Sequence, residues 1–259
     1  MQLVTLITDW NKDDFYTGAV KGMLLSSDEN VKVVTLTNQI SPYNISEAAF
    51  VLRNCYTHYP PGTIHMIAVA SDTVQDNQYL AARINGQILL CADNGIMGLL
   101  GDAVPEEIYH IRTENEDVAA SFPVLSILCK AARDLIKGKN LTDLGESAKD
   151  YHKQIPLRAT IENNTITGSV IYLDSFGNAI TNITRELFDR IGKSRKYEIF
   201  VQSKHYRITK LNETYSESGP GDLLALFNSV GLLEIAIRSG STAELLNLNT
   251  DSTVRIEFK

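Results

Sequence analysis

The residues best suited to chemistry stand where short apolar runs give way to carboxylates and amides. Asp9 closes the β-branched run Leu3-Val4-Thr5-Leu6-Ile7-Thr8, and Asp13 and Asp14 occupy the loop that follows. Open α/β sheets bind ligands at the carboxyl ends of their strands, so Asp9 is a candidate ligand carboxylate. Asp13 and Asp14 suit either a ligand or the first turn of the next helix, where they would accept backbone N–H bonds. Asp93-Asn94-Gly95 follows the apolar Ile88 to Cys91. Because Asn-Gly favours positive φ, a plain turn is its simpler account. Asp174-Ser175-Phe176-Gly177-Asn178, with Thr181-Asn182 just beyond, is denser. A stacking ring beside donors and acceptors is what a purine pocket needs, and a polar loop is the alternative.

Other chemistries lack their residues. The sequence has no G-x-G-x-x-G after a strand, no G-x-x-x-x-G-K-[ST] and no G-x-S-x-G, which removes the dinucleotide clamp, the P-loop and the nucleophile elbow. The five histidines show no metal-ligand spacing and read as surface or satisfied core residues. Cys55, Cys91 and Cys129 are odd in number and far apart, so they read as reduced core residues, and neither structural zinc nor any other metal is expected. With 24 Lys and Arg against 31 Asp and Glu, the net charge is -7, the wrong sign for a nucleic-acid partner but an attractive one for a sulfonium or ammonium ligand. Apolar stretches such as Ile64 to Ala70 fall short of the ~20 residues of a spanning helix, and Met1-Gln2-Leu3-Val4 lacks a basic flank. A cytoplasmic protein with neither membrane span nor signal peptide is therefore expected.

These residues need a scaffold, and the pattern supplies one in two parts. Strand Leu3 to Thr8, helix Tyr16 to Leu24, strand Val31 to Leu36, helix Ser46 to Tyr56 and strand Thr63 to Ala70 alternate, which predicts an α/β domain with a largely parallel sheet. Leu80 to Ile84 and Gln87 to Cys91 flank Asn85-Gly86, a strong hairpin signal. Ser126 to Lys137 repeats at helical spacing and stops at Gly138. From Thr160 onward the segments are short and alternating (Thr167 to Leu173, Tyr197 to Val201, Tyr206 to Thr209, Asp222 to Phe227, Leu233 to Ile237, Thr253 to Phe258), with one helical turn at Thr184 to Ile191. That texture predicts a smaller antiparallel β-barrel-like domain. The polar stretch around Pro156 sets the domains at 1–155 and 156–259.

Taken in order, the motifs resemble the S-adenosylmethionine hydroxide adenosyltransferases (adenosine-forming S-adenosylmethionine hydrolases) and the related S-adenosylmethionine-dependent fluorinases and chlorinases. The resemblance runs nearly end to end: Leu6-Ile7-Thr8-Asp9-Trp10 with Asp14, Tyr16 and Lys21-Gly22; Ile40-Ser41-Pro42 with Ala48-Ala49; Tyr59-Pro60-Pro61-Gly62-Thr63-Ile64-His65; Ala92-Asp93-Asn94-Gly95; Leu173 to Asn178 with Thr181-Asn182-Ile183; and Asn228-Ser229-Val230-Gly231 before Leu233-Glu234-Ile235-Ala236. It implies an N-terminal α/β domain, a C-terminal barrel-like domain and a homotrimer whose sites lie between neighbouring subunits. It implies that Asp9 accepts both ribose hydroxyls, with Tyr43 beside ribose and adenine. Asp14 and Asp174 would hold the methionine end, Tyr16 belongs to the same motif as Asp14, and Asn178 would read the adenine edge. Phe176 and Tyr215 would form the aromatic surroundings, and Ser229 would lie near the methionine carboxylate. The ligand is S-adenosylmethionine as substrate or ligand, and no separate cofactor is implied.

The reaction frame departs from the family. The hydrolases carry an Asp, an Arg seven residues later and a His in a later segment, which prepare the attacking water; the matching positions here are Ala70, Asn77 and Pro123. Thr73 aligns with a threonine of the halogenases' halide pocket, but its surroundings do not follow their pattern. Asp72 is the nearest spare carboxylate and the candidate substitute base. The expected function is slow hydrolysis of S-adenosylmethionine to adenosine and methionine. A non-catalytic adenosyl-ligand binding or sensing protein is the alternative, and halide-dependent adenosyl transfer is a minor one.

Overall fold

The structure is a computed structural model and describes residues 2–11, 14–72, 78–101, 103–113 and 121–259. The chain divides into two compact units, Met1–Pro156 and Leu157–Lys259.

The first unit is built on a seven-stranded sheet. Its strands are β1 (Leu3–Thr8), β2 (Lys32–Thr37), β3 (Ile64–Ala68), β4 (Tyr79–Ile84), β5 (Gln87–Ala92), β6 (Glu107–Ile111) and β7 (Gly145–Ser147), in the order β2-β1-β3-β5-β4-β6-β7. The first four in that order are parallel, and the remaining pairings are antiparallel. Helix α1 (Phe15–Leu25) carries the chain from β1 to β2 and α2 (Ile45–Cys55) carries it on to β3. Leaving β1 the chain turns toward one edge of the sheet, and leaving β3 toward the other. The gap between the carboxyl ends of β1 and β3 is thus a topological switch point, the usual ligand crevice of such sheets.

Alternation along the strands makes two cores. Val4, Leu6, Met66, Ala68 and Leu90 face α1 and the helix α3 (Cys129–Ile136). Ile7, Ile67, Val69, Leu89 and Cys91 face α2 and the single-turn segment Ile96–Leu100. Both faces are covered, which is why the central strands read as unbroken apolar runs. The hairpin forms as its turn residues dictate, with positive φ at Asn85 (51°) and Gly86 (72°). The helix expected from Ser126 begins as a π-helical turn, Val124–Leu128, before becoming α3. Strand β7 is a short edge strand and β6, between β4 and β7, is only partly buried, and periodicity alone singles out neither.

The second unit is a nine-stranded sheet: β8 (Thr160–Glu162), β9 (Thr165–Leu173), β10 (Ala179–Thr184), β11 (Tyr197–Val201), β12 (Ser203–Ile208), β13 (Leu211–Asn212), β14 (Leu223–Phe227), β15 (Leu232–Ile237) and β16 (Thr253–Phe258). The order is β12-β11-β16-β9-β10-β15-β14-β13, with β8 also on β9, and every pairing is antiparallel except β13 with β14. Strand β12 comes back against β14, so the sheet nearly closes into a barrel. Ile166, Val170, Ile183, Ile199, Ile235 and Ile256 fill its interior.

His65 is a core residue, one of the two places the sequence allowed its histidines. On β3 its Nδ1 lies 2.7 Å from Thr5 Oγ1, between the edges of Tyr56 and Tyr59. Burial lowers its pKa to about 4. A histidine lowered on folding favours the native state while neutral, so its contribution is complete above pH ~6.5 and is lost as pH falls toward 4. The expected slope amounts to about 3 kcal/mol of unfolding free energy over that window. Urea denaturation of wild type and His65→Gln across pH 4–7 checks it: the variant should lose most of the slope.

Candidate functional site

The switch point is organised around Asp9. Its Oδ2 accepts two backbone N–H bonds, from Tyr43 at 3.0 Å and from Ala70 at 3.1 Å. Tyr43 lies in the loop after β2 and Ala70 just beyond β3, so one oxygen ties together the ends of three neighbouring strands. Both donors have left-handed backbones, with φ of 63° and 47°. Such a conformation costs a non-glycine residue about 1–2 kcal/mol. Two strained residues aimed at one carboxylate are the mark of an arrangement fixed by the rest of the fold. Among the described residues Oδ1 accepts no hydrogen bond, so both of its lone pairs are left for a ligand.

Asn94 supports this corner. Its Nδ2 donates to the carbonyls of Val69 (3.0 Å) and Ala70 (3.3 Å), and its Oδ1 accepts from Ile96 N–H (3.3 Å). The Asp93-Asn94-Gly95 turn forms, with Gly95 at φ 98°, but it also clips the β3 terminus. Asp93 is spent on the backbone of the same unit, accepting from His152 N–H at 2.8 Å. A Cβ on Gly95 would meet the Gln154 and His152 side chains, so glycine is required on steric grounds as well.

Asp14 stands at the N-cap of α1, yet its side chain does not cap the helix; it turns back to accept from Asn11 N–H at 3.1 Å. Asp13 lies outside the described residues. Beside Asp14 is an aromatic cluster. Tyr16 lies 4.2 Å from Phe15, 5.8 Å from Trp10 and 4.8 Å from Phe122 between ring centroids. Trp10 is half-buried, because Phe122 packs edge-on against it at 5.2 Å. Phe15 and Tyr43 remain 72% and 62% exposed at this end of the sheet.

Two of the three departures from the family's reaction frame fall here. Ala70 adjoins Asp9, and Pro123 is buried directly after Phe122. Asn77 and Thr73 lie outside the described residues. Asp72 is exposed at the same strand end. Its neighbour Ser71 accepts a 2.6 Å hydrogen bond from Tyr79 Oη. Burial, and secondarily the charge of Asp72, push the Tyr79 phenol up to about 12, so Tyr79 serves as a fixed donor at neutral pH.

In the second unit the Asp174 to Asn178 loop is an internally bonded turn. Asp174 Oδ1 accepts from Phe176 N–H and Asn178 N–H, both at 2.9 Å, and Oδ2 accepts from Asn178 Nδ2 at 3.0 Å. Asp174 therefore shapes the loop itself, in addition to any role toward a ligand. Asn178 is buried, whereas Phe176 is 76% exposed. Gly177 has φ 76°, and a Cβ there would strike Ser241. Tyr215 begins a short turn and donates to the buried Glu234. Burial raises its phenol well above the ordinary range, with Glu234 and then Asp174 adding to the shift. Ser229 is exposed on the turn joining β14 to β15. Sequence reasoning quoted Glu234 within a motif without giving it a role and preferred a plain turn for Asn94; a single glutamate inside an apolar strand was the available signal for the first.

The strain at Ala70 is testable. Relief of about 1–2 kcal/mol outweighs the roughly 0.4–1 kcal/mol that glycine loses through unfolded-state entropy. Ala70→Gly should leave stability unchanged or raise it by up to about 1 kcal/mol, while the β-branched Ala70→Val should lower it by more than about 1 kcal/mol. Urea unfolding of both variants decides, and a strongly destabilised glycine variant would contradict this geometry.

Residues 4–145 match the SAM hydroxide adenosyltransferase N-terminal domain, and residues 168–255 match the SAM hydroxide adenosyltransferase C-terminal domain. Curated relatives include an (R)-S-adenosyl-L-methionine hydrolase of Methanocaldococcus jannaschii, 24% identical over 100% of this chain and 97% of the relative. Another of that name, from Thermus thermophilus, is 26% identical over 99% and 100%, and a fluorinase of an Actinoplanes species is 21% identical over 98% and 97%. The crystal structure of an uncharacterized conserved protein from Thermotoga maritima superimposes with a TM-score of 0.87, at 22% identity, over 98% of this chain and 99% of that one. With its first domain alone matched over more than half its length, and its second in order behind it, the chain belongs to the SAM hydroxide adenosyltransferase family.

Proposed function

We propose that this protein binds S-adenosylmethionine and hydrolyses it slowly to adenosine and methionine. The observation that carries the reading is Asp9, held by two backbone donors at the switch point with its second oxygen left to receive a vicinal diol. The ribose hydroxyls of an adenosyl group are such a diol, and charge-assisted bonds to a carboxylate are the strong kind. Asp14 and Tyr16 line the same strand end, while Asp174, Phe176, Asn178, Tyr215 and Ser229 supply the purine and amino-acid contacts.

The reaction is a displacement at the ribose 5′ carbon. A water oxygen forms the new C–O bond, the C–S bond breaks, and its electron pair returns to sulfur as the sulfonium becomes the thioether of methionine. The water also gives up a proton. Because the sulfonium leaves readily, alignment and desolvation can supply much of the acceleration. Asp72 is the carboxylate we assign to take the proton. A second reading, retention of the ligand without turnover, is favoured by Ala70 and Pro123, which offer no base.

Incubation with S-adenosylmethionine, following adenosine and methionine by chromatography with and without halide, tests this. Release should occur about 10²- to 10⁴-fold more slowly than in triad-bearing relatives, the factor a general base supplies. Asp72→Asn should stop it with affinity nearly unchanged. Asp9→Asn, which keeps a neutral acceptor for Tyr43 and Ala70 but removes the charge, should weaken binding by about 2 kcal/mol in calorimetry. Inertness of wild type and Asp72→Asn alike, with binding intact, would support the second reading instead. Tight binding by Asp9→Asn would overturn the assignment of the diol.

We further propose a homotrimer whose sites take Asp9 and its neighbours from one chain and Asn178 and its neighbours from the next. In the first unit Val104 and Ile155 are 78% and 82% exposed on the single chain, apolar side chains that a second copy would cover. Light scattering should give three chain masses or a multiple, and Asn178→Ala should weaken binding as severely as a change at Asp9. A monodisperse monomer that binds the ligand would refute the shared site.

A further inference from the structure

Glu234 is 3% exposed in the middle of β15, an otherwise apolar strand, and among the described residues no Lys or Arg pairs with it. Burying a carboxyl group without a cation is costly unless hydrogen bonds satisfy it. Each oxygen has one such bond, and each leads to a different loop. One accepts from Tyr215 Oη and the other from Asn228 Nδ2 at 3.1 Å. Asn228 in turn accepts from Val230 N–H (3.2 Å) and Leu232 N–H (3.1 Å) through its Oδ1, which fixes the turn that carries Ser229. The Tyr215 turn is tied a second time just beyond that strand, since Arg238 donates to the carbonyls of Ser216 and Ser218.

The face of the sheet matters as well. Leu233 and Ile235 point into the barrel, so Glu234 points outward, opposite Ile180 of β10 and Leu226 of β14. Asn178 immediately precedes β10, two positions before Ile180, and alternation puts it on that same outward face. Tyr215, bonded to Glu234, and Asn178 thus share that face, and the turn that carries Ser229 is held to it through Asn228.

We propose that Glu234 is a positioning residue for the ligand site, a buried strut whose two oxygens set the Tyr215 ring and the Ser229 turn at a fixed separation beside Asn178. The consequence for affinity rests on the adenosyl reading above; the strut itself does not.

Hydrogen exchange without ligand tests the strut. In Glu234→Leu, amides of 213–218 and 228–232 should exchange on the order of tenfold faster together, while those of β9 and β16 stay unchanged. Glu234→Gln, nearly isosteric, should restore 228–232, because its amide oxygen still accepts from Asn228, and should restore 213–218 less well. Should the leucine variant fail to fold, the glutamine variant carries the test through that unequal rescue. Calorimetry with S-adenosylmethionine tests the consequence. Glu234→Gln and Tyr215→Phe should each weaken binding on the order of tenfold, and the double variant should be no weaker than either, since both remove one interaction. Exchange that is unaltered in both segments, or losses that add in the double variant, would overturn the proposal. A wild type that takes up no S-adenosylmethionine would defeat the adenosyl reading and leave exchange to decide the strut.

Discussion

One carboxylate oxygen governs the first unit. Asp9 Oδ2 receives the Tyr43 and Ala70 N–H groups, and the three segments it joins belong to β1, to the loop after β2 and to the end of β3, neighbours in the parallel part of the sheet. Two left-handed residues cost about 2–4 kcal/mol together. Two hydrogen bonds to a carboxylate are worth about 1.5–3 kcal/mol each, so the terms come close to balancing and the corner persists with little net gain. Its purpose is therefore better sought in geometry than in stability. Strain retained at the switch point, with one carboxylate oxygen held and the other without a hydrogen bond among the described residues, is the geometry of a preorganised acceptor.

The same economy of residues operates in the second unit, where polar side chains shape loops before they meet any ligand. Asp174 uses both oxygens on its own loop, and Glu234 uses one oxygen on each of two others. Asp174→Ala would therefore reshape the loop carrying Phe176 and Asn178, and its effect on binding is no measure of a direct contact. Asn182 follows this pattern too, accepting from Ser169 N–H at 2.9 Å and donating to the Leu157 carbonyl at 3.0 Å.

Which parts were legible follows from what periodicity records. Strands β1, β3 and β5 were clear because both of their faces are covered, and the Asn85-Gly86 hairpin was clear because its turn needs those residues. Strands β6 and β7 were not, since short strands with partly exposed faces leave a mixed pattern. The π-helical turn at Val124–Leu128 has the apolar spacing of an ordinary helix start and no signature of its own. At the site, Asp9 could be placed at a strand end from sequence alone. A tyrosine and an alanine with positive φ could not, because neither residue type announces that conformation as glycine or asparagine does. The cover over Trp10 was hidden for a different reason: Phe122 is remote in sequence, and only the tertiary fold brings it near.

Ala70 raises a question that its geometry answers in part. An aspartate here would bring a second carboxylate beside Asp9, on a residue whose own N–H already donates to Asp9, and two like charges in so close a corner repel. Alanine avoids that repulsion, and under the proposed reading it also leaves the position without a basic group. Under the proposed reading this shifts the work of the protein from proton transfer toward binding and alignment, which a displacement with a sulfonium leaving group tolerates better than most reactions. Asp72 fits that division, because it lies two residues farther along the same strand end and remains exposed. On that reading, the carboxylate proposed to hold the sugar is a different residue from the one proposed to take the proton, and Asp72, exposed two residues beyond Ala70, is free of the backbone bonds that occupy Asp9.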